Sequence, residues 1–269
     1  MLYGAADFTG GLATRRASTI PIVFLSQLSG LISLLLLMPL LEAATPTRLD
    51  MVWGAVAGLT GGIGVALLYR ALAIGTMAVV APTTAVCAVT IPVMVSVVLG
   101  ERPPPLAVLG IVLGVASIVL VSRQTTPAGV DARDSKGVGT ALASGVAIGF
   151  FFLALAQTRA QAGMWPLVAS RTLSVLLFGV AAIAGRSAIR MPGPVVGLAI
   201  LCGFLDMLAN ALYLVAAQVG PLSIVVTLSS LYPASTVLLA RVVLGERLNL
   251  WQVSGVGCAL AAVVLIVWP

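Results

Sequence analysis

Ten apolar stretches, each near the length of one membrane crossing, run through the 269 residues. The first, Met1–Thr14, is cut by Arg15-Arg16 and is followed by Ile20–Leu41, Met51–Ile74, Met77–Leu99 and Leu106–Ser122. A polar stretch, Arg123–Lys136, carries Pro127, Gly129 and four further charged residues. Five more apolar runs come after it: Gly137–Ala156, Trp165–Ala184, Pro194–Ala217, Leu222–Leu244 and Leu250–Trp268. A helix needs roughly 20 apolar residues to cross the hydrocarbon core. The periodicity is helical or wholly apolar, without the alternation that a membrane barrel requires. The pattern predicts an all-α integral membrane protein of about ten transmembrane helices.

The polar stretch separates two related halves. Val97-Val98-Leu99-Gly100-Glu101-Arg102 recurs letter for letter as Val242-Val243-Leu244-Gly245-Glu246-Arg247, an offset of 145 residues. The same offset maps Gly4 on Gly149, Pro21 on Pro166, Gly75 on Gly220 and Gly110 on Gly255. A repeat of this length marks a duplicated unit. The expected organisation is a five-helix repeat over 1–123, a polar linker over 124–136 and a second repeat over 137–269. An odd number of crossings per unit inverts the second copy relative to the first, as in many secondary transporters.

The first run is short. At 1.5 Å per residue, Met1–Thr14 reaches about 21 Å, against a core of roughly 30 Å. Gly149 has twelve residues of its run before it and Gly4 has three. The expectation is that about nine residues of the first helix precede this sequence. The alternative is a short helix tilted in, with Arg15 and Arg16 snorkelling to the interface.

Composition agrees with the hydropathy pattern: 60% of residues are hydrophobic and 8% charged, where soluble domains carry about 25% charged residues. So few polar groups cannot cover a water-facing surface, so the bilayer is the outer solvent. The net charge of +6 is scattered singly between apolar runs, which argues against nucleic acid as a partner. Cys87, Cys202 and Cys258 lie inside apolar runs without metal-ligand spacing, and histidine is absent. No cofactor is expected. A nucleotide-binding loop is absent too, which excludes ATP as the direct energy source.

Two five-helix repeats, each with a Leu-Gly-Glu-Arg turn after its fourth helix, resemble the EamA-like family of the drug/metabolite transporter superfamily. Tyr3-Gly4, the Pro166…Arg171 spacing and Leu231-Tyr232-Pro233 match it as well. The resemblance covers nearly the whole chain. It implies ten helices around a central cavity, alternating access, and export or exchange of small metabolites such as amino acids or their derivatives. It also implies a multi-pass protein of the plasma membrane. The halves have diverged: Ala88 stands opposite Pro233 and Ser26 opposite Arg171, so an asymmetric substrate site is expected.

Charged groups at membrane depth cost about 2.5–3.5 kcal/mol or more and are functional candidates. Asp206 lies near the centre of the eighth run, with Asn210 and Tyr213 following on the same helix face. Together they suit a cationic or amino-bearing substrate, and Asp206 suits proton uptake; the plainer reading is an interhelical polar cluster. Asp7 is the second acid, with Tyr3 one turn before it. Arg171 is read either as a partner for a substrate carboxylate or as snorkelling or structurally paired. Arg70, Arg159 and Arg241 lie nearer helix ends and are expected to snorkel.

Hydroxyls form faces on two helices: Thr83 with Cys87 and Thr90, and Ser223 with Thr227 and Ser230. They line a cavity or satisfy backbone carbonyls. Tyr232 is a further wall residue. Gly54, Gly58 and Gly62 form a packing stripe. Glu101 and Glu246 are expected to be solvated caps or partners of Arg102 and Arg247, with a gate as the sharper reading. The positive-inside rule places the odd-numbered loops in the cytoplasm and both termini outside; the family's usual arrangement has both termini inside, and that orientation is the expected one.

The reading is a secondary transporter of small metabolites with possible proton coupling. Its rivals are a multidrug or cation exporter using Asp206 as counter-charge, a non-transporting membrane subunit, and a lipid-acting enzyme, for which no paired acids or metal cluster are found. Oligomeric state is left open by the sequence.

Overall fold

The computed structural model describes residues 1–40, 44–98, 104–122, 133–185, 191–219, 232–246 and 250–267. Within them run ten α-helices: α1 (Leu2–Thr14), α2 (Thr19–Leu37), α3 (Arg48–Ile74), α4 (Met77–Val98), α5 (Pro105–Ser122), α6 (Arg133–Ala156), α7 (Trp165–Ala184), α8 (Gly193–Val219), α9 (Tyr232–Leu244) and α10 (Leu250–Val267). No strand occurs among the described residues. Thr227 and Ser230, proposed as cavity residues, lie outside them, as do Ser223, Glu101, Arg102 and Arg247.

Five of these helices are long and apolar enough to cross a membrane: α2, α3, α6, α7 and α8. Shorter apolar helices occur within α4, α5, α9 and α10. Many large apolar side chains point outward: Ile183 is 77% exposed, Leu36 73% and Val180 65%. Such a surface is stable only against lipid. The interior is built from small and branched residues, with Ile22, Val23, Leu72 and Met77 fully enclosed where α1 to α4 meet.

The helix pairings obey the repeat. α3 packs on α6 as α1 packs on α8; α3 packs on α7 as α8 packs on α2. α4 packs on α6 as α9 packs on α1. The pairs α2–α7, α4–α9 and α5–α10 map onto themselves. This is the pairing of two inverted five-helix units related by a pseudo-twofold axis.

Small residues make these crossings close. Along α3, Gly54, Gly58 and Gly62 face Pro166, Ser170 and Ser174 of α7, so the stripe seen in the sequence is a helix contact. A Cβ at Gly58 would lie 2.8 Å from the Ser170 Cα. Gly203 of α8 meets Ser26 of α2 in the same way. Gly4 and its repeat partner Gly149 occupy matching crossings: Gly4 meets Tyr232 and Thr236 of α9, and Gly149 meets Ile91 of α4. Hydroxyls bridge the same crossings, as Ser174 donates to the Gly58 carbonyl (2.7 Å), Ser144 to Gly64 (2.7 Å) and Thr236 to Gly4 (3.1 Å).

Candidate functional site

Asp206 sits at the middle of the 27-residue α8. The Gly203–Ser26 crossing brings α2 close enough for Gln27 to enter the same layer, and the glycine stripe of α3 holds α7 beside it. Arg171 of α7 is therefore enclosed, 8% exposed, between α2 and α8. Its guanidinium fork is used on both sides: one nitrogen donates to Asp206 Oδ2, the other to Gln27 Oε1. Of the two readings of Arg171, the structure shows the ion pair. It also shows that Asp206 is not a free counter-charge.

Asn210, one turn beyond Asp206, donates to the Asp206 carbonyl (2.7 Å) and carboxylate (3.3 Å). Its own Oδ1 accepts from the Tyr3 hydroxyl of α1 at 3.2 Å. The Tyr3 ring packs edge-on to Tyr232 of α9, with centroids 6.0 Å apart. Tyr213 is half-buried farther along α8, within electrostatic range of Tyr3. Asp7, one turn from Tyr3, is half-buried and within electrostatic range of Asp206. It has no hydrogen bond or ion pair among the described residues.

Tyr3, Asp7, Arg171, Asp206, Asn210, Tyr213 and Tyr232 thus gather where α1 and α2 of the first repeat meet α7, α8 and α9 of the second. Thr83 is buried on α4, with its hydroxyl returned to the Val79 carbonyl at 2.8 Å. Gln27 was not among the candidates, although a lone amide within an apolar run was its visible signal. Tyr69 and Cys202 also extend the polar layer: their side chains lie 2.9 Å apart, and Cys202 donates to the Ala6 carbonyl. No group of acids or cysteines able to hold a metal occurs among the described residues.

Two further ion pairs join residues far apart in the chain. Arg159 is half-exposed and paired. It donates to Asp50 (2.9 Å) and to the Thr45 carbonyl (3.2 Å), because α3 presents Asp50 in a capping box with Thr47 beside it. Glu246 is paired with Arg15 (3.0 Å), and it accepts from the backbone N–H groups of Met77 and Ala78 (3.1 and 3.0 Å). Gly245, at φ +65°, turns the chain so that Glu246 reaches the start of α4. Arg70 and Arg241 are exposed.

The family model for EamA-like transporters matches residues 1–123 and again 135–268. The chain belongs to the EamA-like transporter family. Among solved structures, one described only as the crystal structure of a protein aligns with a TM-score of 0.60 at 17% identity, covering 98% of this chain and 94% of the other. That likeness concerns the fold. No curated protein matches the chain. Membership makes this a multi-pass membrane protein of a transporter family, and both copies of the EamA unit contribute to the polar layer around Arg171.

Proposed function

We propose that this EamA-like protein is a secondary transporter, in the plasma membrane, of amino acids or closely related metabolites, acting as an exporter or exchanger by alternating access. The observation that carries this reading is the Arg171–Asp206 pair at mid-depth, flanked by Asn210, Tyr3 and Asp7, which has no ion-pair partner among the described residues. A guanidinium fork matches a carboxylate, and a carboxylate matches an ammonium. A zwitterion can replace the internal pair, its carboxylate taking Arg171 and its ammonium taking Asp206. Every buried charge then stays compensated in both empty and loaded states, which matters because an uncompensated one costs several kcal/mol.

Asp7 adds a place for a proton. Exchange of that proton during the transport cycle would couple the two fluxes.

A thermal-shift screen of the purified protein against amino acids, amines and sugars tests the reading, since a ligand of the folded state raises its stability by mass action. Amino acids should stabilise the wild type and fail to stabilise Asp206→Asn. Stabilisation that survives Asp206→Asn places the site elsewhere. Stabilisation by lipophilic amines alone favours the cation exporter instead.

A further inference from the structure

The two remaining ion pairs lie at opposite ends of one helix. Asp50 and Gly75 mark the ends of α3, separated by 25 residues, or about 37 Å at helical rise, which exceeds the roughly 30 Å hydrocarbon core. At the first end, Arg159 of the second repeat grips Asp50. At the second, Glu246 of the second repeat meets Arg15, which also donates to the Leu72 and Gly75 carbonyls at the end of α3. Glu246 at the same time caps α4 through Met77 and Ala78. A cation at a helix C-terminus and an anion at a helix N-terminus both complement the peptide dipoles.

We infer that these clusters, Asp50–Arg159 with Thr45 and Thr47 on one face and Arg15–Glu246 with the α3–α4 turn on the other, are the two gates of the transporter. Each joins the first repeat to the second. Both pairs are formed in this structure. If the repeats rock against each other, one cluster must part while the other holds. Neither pair is duplicated as a pair, although Glu246 itself recurs as Glu101. The offset of 145 puts Val195 opposite Asp50, Thr14 opposite Arg159 and Ala160 opposite Arg15, and none of these can form an ion pair. The acids are the enclosed members, with side chains 2% exposed at Asp50 and 13% at Glu246. The arginines are the movable ones, at 49% for Arg159 and 28% for Arg15.

The inference rests on the alternating-access reading, but its test needs no substrate. A cysteine placed by Tyr213→Cys is labelled in vesicles with a membrane-impermeant maleimide from each face, as the excess over the parent protein. Arg15→Gln should raise labelling several-fold from the Arg15 face and lower it from the other; Arg159→Gln should do the reverse. No change, or equal change from both faces, overturns the assignment. Should these variants fold poorly, Arg15→Cys with Glu246→Cys supplies a second check. Oxidation should abolish labelling from that face and reductant restore it, and labelling that persists after cross-linking overturns the gate. A screen that finds no ligand would remove the amino-acid assignment and leave these labelling results as they stand.

Discussion

Arg171 spends its fork on an acid in its own repeat, Asp206, and on an amide in the other, Gln27. Removing one partner of such a pair strands the other charge in the apolar layer, which costs about 3–5 kcal/mol. Asp206→Leu or Arg171→Met alone should therefore lower the thermal midpoint in detergent strongly. Arg171→Met combined with Asp206→Leu should recover most of the loss in a double-mutant cycle; simple additivity would contradict the pairing. Gln27 predicts a different signature: Gln27→Leu should weaken ligand binding more than it lowers stability, because Arg171 keeps its acid.

The helices show what the sequence could and could not convey. Spans, repeat offset and glycine stripe were all legible, because hydropathy and spacing are properties of one chain segment at a time. The partners were not. Arg159 and Arg15 show no local sign of a partner, because their acids stand 109 and 231 positions away, and nothing local tells which helix ends will meet. Asp206 and Asn210 were found together because they share one helix face, whereas Gln27 comes from another helix and was passed over. At the glycines, packing decides the sign of a substitution. Gly58→Ala drives a methyl into the α7 backbone and should cost about 1–3 kcal/mol by overpacking. Gly197→Ala, with nothing within 4 Å, should be neutral or stabilise by about 0.5–1 kcal/mol through helix propensity. Thermal unfolding of the two variants side by side measures the contrast.

At the scale of the whole molecule, the polar layer joins the repeats at mid-depth while the charged clusters join them at the faces. Asp7→Asn should abolish uptake driven by a proton gradient in proteoliposomes and leave substrate-for-substrate exchange intact, because exchange requires no net proton movement. Loss of both would make Asp7 a binding group; retention of both would remove it from coupling.

The missing duplicates of Asp50, Arg159 and Arg15 have an energetic consequence. Two identical inverted units would interconvert by trading conformations, and the inward- and outward-open forms would then be degenerate. Unequal charges at the two faces lift that degeneracy, and each 1.4 kcal/mol of difference skews the populations about tenfold. Between identical solutions, with no gradient acting, this carrier should rest facing one way.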